Sequence, residues 1–389
     1  MTDELTTERV LSLASMLGEE ERAWQAKART FATERILPVI EDDFEKQHFR
    51  RELVAELGAA GFLGMHLDGY GAAGASAVSY GLVCMELEAA DSGWRTLVSV
   101  QGSLAMSAIH KFGSDEQKQR WLPGMVTGEH IGCFGLTEPA GGSDPAAMAT
   151  TARREGDGWV LNGRKRWIGL ATLASVAVVW AMTEDGVRGF LVPTDSEGFR
   201  AEAIAGKLSM RASVQCDVYL DEVRLPDSAR LPGAEGLSAP FRCLNEARYG
   251  IVWGVMGAAR TCLEAAIDRS TSREVFGKPI GAMQLTQQKL ADMFLEYEKG
   301  MLLALQLGRR KDAGTLSIEQ ISVGKLNNVR EAQKIARTAR SILGGDGITA
   351  EFPVMRHMAN LESVATYEGT DEIHTLVIGR ALTGIAAYR

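Results

Sequence analysis

Hydrophobic periodicity changes twice along this chain, and those two changes restrict its fold more than any single motif. Residues 1–132 carry helical spacing over Glu19 to Ile36, Arg50 to Ala60, Ser76 to Ala90 and Val98 to Phe112, with Gly or Pro between the runs. Between Cys133 and about Leu231 the texture becomes short β-rich runs: Trp159 to Leu161, Val176 to Met182, Gly189 to Val192 and Cys216 to Leu220. Turns such as Gly156-Asp157-Gly158 and Asn162-Gly163 separate them. From about Pro240 helical spacing returns, near Ala247 to Ser270, Leu285 to Lys311, Ile318 to Leu343, Val354 to Ala365 and Asp371 to Ala387. Helices, then strands, then helices argue against the alternation that builds a parallel α/β sheet. The expected class is α+β, mainly α, with units at 1–132, 133–239 and 240–389.

A length of 389 residues suits two or three cores rather than one. Hydrophobic residues at 46% beside 24% charged ones are ordinary for a globular chain, and a net charge of -8 without basic runs argues against nucleic acid. The longest apolar candidate, Leu173 to Met182, falls short of the roughly 20 residues that cross a bilayer, so no span is expected. The opening MTDELTTERV is acidic rather than Arg-rich, and a cytoplasmic location is the expectation. Cys84, Cys133, Cys216, Cys243 and Cys262 are scattered without ligand spacing and read as buried free thiols; the six histidines show no pairing either, and no metal is expected.

Within the last helical region, Tyr367-Glu368-Gly369-Thr370-Asp371-Glu372-Ile373-His374 puts one carboxylate on a joint between two helices. Gly369 permits the turn, Thr370 can cap the second helix, and Asp371 and Glu372 suit its dipole. Glu368 stands just outside that helix beside Ala365 and Tyr367, where apolar surroundings would raise its pKa toward the range of a base for a carbon acid. A solvated loop glutamate is the other reading.

Three further segments carry chemistry. Residues 134–145 run Phe-Gly-Leu-Thr-Glu-Pro-Ala-Gly-Gly-Ser-Asp-Pro: a hydroxyl, a Pro-fixed turn and two glycines, able to free backbone N–H groups for a phosphate or ring edge, or simply a surface turn. Gly345-Asp346-Gly347-Ile348-Thr349-Ala350 fits a dinucleotide pattern but follows a helix instead of a strand, which rejects a Rossmann site and leaves a helix cap. Arg95, among apolar neighbours, needs an anion: Glu86, Glu88 or Asp91 within the chain, or a ligand.

Together these segments resemble the acyl-CoA dehydrogenase family along essentially the whole chain. DSGWRTLVSVQGSL, CFGLTEP, LNEARYGIVWGVMGAA, FGKPIGAMQLTQQKLADM and YEGTDEIH are similar to the glutaryl-CoA dehydrogenase group within it. The resemblance implies an N-terminal helical domain, a central β-barrel domain, a C-terminal four-helix bundle and bound FAD. It implies Phe134, Leu136, Thr137, Trp167 and Ile168 along the flavin, Gly142 and Ser143 at its pyrophosphate or the CoA, and Gly344, Gly345 and Gly347 as a turn beside the adenosine part. Thr370 and Glu372 join the cofactor set. Arg273, Phe276 and Gln284 would reach FAD from a neighbouring subunit of a homotetramer.

On the substrate side the resemblance implies that Arg95, helped by Thr96 and Ser99, faces the distal carboxylate of the acyl chain. Phe241, Asn245, Arg248 and Tyr249 meet pantetheine and CoA, and Tyr367 and Gly369 flank the base Glu368. The implied reaction is oxidation of glutaryl-CoA with decarboxylation to crotonyl-CoA, electrons passing to an electron-transferring flavoprotein. Departures from the family are Gly169-Leu170 for Thr-Asn, Trp94-Arg95-Thr96 for Tyr-Arg-Ser and Asp346 for Asn. They keep two alternatives open: a relative with altered chemistry, or a flavin-binding protein without catalysis.

Overall fold

The structure, a computed structural model, describes Thr7 and residues 13–387. Helix α1 (Glu19–Phe31) does not stop before Pro38, where the sequence predicts an end. It widens into a π-helical stretch, Ala32–Ile36, and continues as α2 (Leu37–Lys46). The wider turn accommodates a proline in the first turn of α2, which has no N–H to donate. After α3 (Leu53–Ala59) come α4 (Ala77–Ala90), capped by Ser76 through Ser79 N, and α5 (Ser92–Val98), capped by Asp91. A second π-helical stretch, Ser99–Met106, leads to α6 (Ser107–Phe112), so the helix expected from Val98 starts a turn and a half earlier. The sequence did not single out α7 (Asp115–Thr127), because Pro123 and Gly124 interrupt its pattern; a capping box between Ser114 and Gln117 starts it.

The β region is one mixed seven-stranded sheet. Its strands are β1 (Gly132–Gly135), β2 (Thr151–Glu155), β3 (Gly158–Gly169), β4 (Val176–Thr183), β5 (Gly186–Pro193), β6 (Phe199–Ala203) and β7 (Gln215–Pro226). Their order is β1-β4-β2-β3-β7-β6, with β5 antiparallel beside β4 and β1 parallel to it. Strand β3 slips register against β7 between Lys165 and Ile168, and this bulge turns Trp167 out of the ladder with φ 64°.

The C-terminal region comprises α8 (Ser238–Ser272), the hairpin β8 (Glu274–Val275) and β9 (Lys278–Pro279), α9 (Gln284–Asp312), α10 (Ile318–Leu343), α11 (Pro353–Thr366) and α12 (Asp371–Thr383). The predicted end of α12 at Ala387 is corrected to Thr383, where Gly384 takes the left-handed conformation that terminates a helix. Helix α8 also corrects the expectation of no long apolar stretch. By length and composition it could cross a membrane, but most of it is buried inside the fold, as in the core helix of a globular protein.

The two helical regions are not separate layers. One hydrophobic cluster runs from Leu53 and Val83 through Trp253 to Leu361, uniting them. Helices α4 and α8 cross closely because α8 has glycines at the contact. A Cβ on Gly257 would lie 1.9 Å from Met85 O, and one on Gly254 would lie 2.1 Å from Glu88 Oε2. At that close crossing Glu88 Oε2 and Arg95 Cγ both lie against Gly254.

Candidate active site

Glu368 lies in the joint between α11 and α12. Its φ is 59° and that of Gly369 is 98°, so two consecutive residues are left-handed and only one of them is glycine. Thr370 caps α12 by accepting from Ile373 N at 3.3 Å, as expected, and Glu372 is exposed in its first turn. Three successive carbonyls of the joint accept hydrogen bonds from cations. Lys325 Nζ donates to Tyr367 O at 2.8 Å and Gly369 O at 2.5 Å, and Arg248 Nε donates to Glu368 O at 2.7 Å. The Glu368 carboxylate receives none of these bonds: its Oε2 is sealed from solvent without a partner. Burial pushes its pKa up to about 7 against the opposing pull of Arg248, Lys325 and Arg95.

Arg95 is 1% exposed. Of the three carboxylates the sequence offered it, Glu88 is the partner, at 2.6 Å from Nε. Glu86 belongs to Arg260 and Arg29, and Asp91 to Arg356 and Asn360. Arg95 Nη2 donates to the Tyr367 hydroxyl, which also lies 3.2 Å from Thr96 Oγ1; Nη1 has no hydrogen bond among the described residues. Burial raises the Glu88 pKa and the Arg95 cation opposes it. Ser99 is buried in the π-helical stretch that follows. The path Arg95–Tyr367–Glu368 therefore joins the predicted specificity residue to the predicted base.

Arg248 bonds the Glu368 carbonyl and, through Nη1 at 3.0 Å, Asn245 Oδ1. Arg248 thus holds the carbonyl of the joint. Tyr249 is a correction: it is fully buried, donates to Ala77 O at 2.7 Å and stacks on Tyr80, so it belongs to the core and not to a substrate surface. Phe241 is 36% exposed, and the next residue, Arg242, lines a cavity of about 310 Å3 together with Lys111, Asn245, Glu246 and Lys311. Glu246 bridges Lys111 and Lys311 at 2.9 and 2.6 Å.

On the other side, Phe134 and Leu136 are buried at the end of β1, Thr137 is half-buried, and Gly142 and Ser143 lie on the exposed loop. Lys165 underpins that loop from β3, donating to Glu138 Oε1 at 2.8 Å and Leu136 O at 3.2 Å, while Glu138 accepts from Ala149 N and Thr150 N. Trp167 is 53% exposed, an unusual place for an indole unless something flat covers it. Ile168 points into the β core instead, so only its backbone can serve the cofactor edge. At Gly169, in place of the family's Thr, a Cβ would meet Val100 Cγ2 at 3.4 Å, so a side chain would need only slight give there. Gly344 and Gly345 are exposed in a 3-10 turn after α10, and Asp346 is paired to Arg269. Arg273, Phe276 and Gln284 lie exposed around the β8–β9 hairpin; they make no hydrogen bond to the Glu368 joint or to Trp167 among the described residues.

Sequence reasoning missed Lys325, which lies 43 positions before Glu368. A lysine at an apolar position of α10, among residues 1% exposed or less such as Ser322, Asn328 and Val329, is the signal that was available.

Models of the acyl-CoA dehydrogenase N-terminal, middle and C-terminal domains match residues 18–129, 133–223 and 234–383. The chain is 36% identical over 369 residues to the mitochondrial short-chain specific acyl-CoA dehydrogenase of Homo sapiens, covering 93% of this chain and 89% of that one. It superposes on a glutaryl-CoA dehydrogenase from Mycobacterium smegmatis with TM-score 0.98 at 62% identity, covering 99% and 100% of the two chains. A glutaryl-CoA dehydrogenase from that organism in complex with FADH2 gives 0.98 at 58% over the same shares. A glutaryl-coenzyme A dehydrogenase with glutaryl-CoA gives 0.91 at 31%, over 95% and 96%. With helices, mixed sheet, bundle and the Glu368 joint in the arrangement the motifs implied, the chain belongs to the acyl-CoA dehydrogenase family.

Proposed function

We propose that this enzyme oxidises glutaryl-CoA between Cα and Cβ and decarboxylates the product to crotonyl-CoA, with Glu368 as the base. The observation that carries the reading is a carboxylate with one oxygen, Oε2, sealed and unpartnered, its pKa raised to about 7, in a residue whose neighbour Tyr367 bonds a buried arginine. Its cofactor is FAD: the half-exposed Trp167 on its bulge, beside the Thr137 and Ser143 loop, offers an aromatic face and free N–H groups of the kind an isoalloxazine and a pyrophosphate need. Bound FAD supplies the acceptor for the hydride leaving Cβ.

Glu368 takes the α-proton; its pKa near 7 makes the conjugate acid neither too strong nor too weak for that transfer. The distal carboxylate is assigned to Arg95 Nη1, because Nε and Nη2 are engaged by Glu88 and Tyr367. Glu88 already balances the Arg95 charge. An aliphatic substrate therefore would not strand a bare guanidinium, contrary to what Arg95 alone suggests, and selectivity rests on the hydrogen bonds offered to a carboxylate. That neutral pair favours a second reading, a short straight-chain acyl-CoA substrate.

The proposal includes electron-transferring flavoprotein as acceptor, a cytoplasmic setting, and a homotetramer in which the exposed Arg273, Phe276 and Gln284 complete a neighbour's FAD site. Phe276, 96% exposed on a hairpin tip, supports that role. The deciding experiment measures kcat/KM for glutaryl-CoA and butyryl-CoA in the wild type and Arg95→Met, with mass spectrometry of the products. Glutaryl-CoA should be preferred at least about tenfold, that preference should vanish in the variant, and crotonyl-CoA should accumulate. A wild-type preference for butyryl-CoA establishes the second reading, and glutaconyl-CoA as the end product removes decarboxylation.

A further inference from the structure

Lys325 is a lysine with 1% exposure on the inner face of α10, and no carboxylate lies within ion-pair distance of it among the described residues. Burying an ammonium is costly unless something in the fold requires it. Its two hydrogen bonds go to the carbonyls on either side of Glu368, at 2.8 and 2.5 Å, while Arg248 holds the carbonyl of Glu368 itself. A glutamate at φ 59° is strained against its relaxed conformation, so the joint needs such holds to persist.

We propose, resting on the reading of Glu368 as the base, that Lys325 is a positioning residue for proton abstraction: it locks the joint in its left-handed form and places a positive charge beside a carboxylate that it does not itself bind. Two cations on the backbone give an arrangement that a direct ion pair would not. The carboxylate stays free to take a proton, yet its ionised form is supported against burial.

The charged groups around this pair come from every neighbouring element. Arg248 on α8 and Arg95 on α5 face Glu368, and Lys325 is faced by Glu368, Arg248, Arg95 and, from α12, Asp371. Asp371 is engaged by Arg330 at 2.9 Å. His374, also on α12, faces Lys325, but burial holds its pKa down to about 3, so it is neutral across the working range and cannot supply the pH response. Burial likewise lowers Lys325 to about 7 against the pull of Glu368, so the two groups titrate as one coupled system.

The test uses the FAD-loaded full-length enzyme with glutaryl-CoA and butyryl-CoA under anaerobic rapid mixing, in Lys325→Met, Lys325→Gln and Glu368→Gln. Lys325→Met should slow flavin reduction about 10²-fold, since a slack joint misplaces the base. Removing the cation disfavours ionised Glu368, so the acid limb of kcat/KM should move to higher pH in both Lys325 variants. Lys325→Gln keeps a donor without charge: the rate loss should be smaller and the limb shift the same, and it serves if Lys325→Met does not fold. Amide hydrogen exchange over residues 366–370 should quicken in Lys325→Met. Wild-type rates in both Lys325 variants, or slowed rates with an unmoved acid limb, would overturn the positioning role. Wild-type flavin reduction in Glu368→Gln would instead overturn the assignment of the base.

Discussion

Glu86 and Glu368 are both glutamates set among cations, and their chemistry is opposite. At Glu86 the donors converge on the carboxylate: Arg260 at 2.9 and 2.7 Å, Arg29 at 3.0 Å and Gln25 at 3.0 Å. Burial alone would raise its pKa, but Arg260 and Arg29 outweigh burial and hold it at about 2. At Glu368 the cations bind the backbone, the carboxylate keeps a bare oxygen, and burial wins, leaving it near 7. The placement of the donors, more than the number of nearby charges, decides whether a buried glutamate is a fixed anion or a usable base.

That contrast breaks most visibly at the base. Glu368→Gln should cut the rate of flavin reduction by about 10²–10⁴-fold while FAD and acyl-CoA still bind, because an amide keeps the shape and cannot accept the proton. Stopped-flow absorbance at the flavin band reads this, and an unchanged rate would place the base elsewhere.

Glu86→Ala should leave chemistry alone and reduce stability instead. It strands Arg260, 5% exposed, without its carboxylate, at a cost of about 3–5 kcal/mol in denaturant unfolding. A near-neutral result would mean that water or Gln25 replaces the ion pair, and the contrast with Glu368 would lose one side.

The pH dependence sharpens the comparison more gently. Glu368 acts only when deprotonated and its pKa is raised, so kcat/KM should fall about tenfold per pH unit below about 7. Glu86, held near 2, contributes stability present above its unfolded pKa and lost only as pH falls toward 2. Between pH 5 and 7 the enzyme should thus lose activity while remaining folded, which parallel assays and circular dichroism can check. Coincident loss of both would contradict it. The smallest effect is expected at Thr370→Ala, which removes the cap of α12 at about 1 kcal/mol and loosens the joint from its far side; thermal unfolding would measure it.

Much of this was legible in the chain. The succession of helical, strand and helical texture is carried by local periodicity, so the element order followed from it. Glu368, Gly369 and Thr370 were readable because a turn glycine and a cap are properties of adjacent residues. The five cysteines, scattered without spacing, are indeed buried and free. What misled was also local: Pro38 reads as a helix end, but a π-helical turn absorbs it, and Pro123 hides α7, which a cap and tertiary packing sustain.

Other features belong to the tertiary structure alone. Three carboxylates near Arg95 in sequence were equally good partners; the close crossing of α4 and α8 allowed by Gly254 and Gly257 gave it Glu88 and sent Glu86 to Arg260. Tyr249 sits within a motif of polar neighbours yet faces the core, because helix rotation at that point is set by packing against Tyr80 and Ala77. Lys325 and Arg248 come from helices far away in sequence and meet at one joint of three residues. By itself the sequence determined the order of helical and strand regions, most of the long helices, and which residue could serve as a base, since those follow from neighbours along the chain. Whether that glutamate is anion or base was decided only by the fold, because its pKa depends on where distant donors point and on how much water the packing excludes.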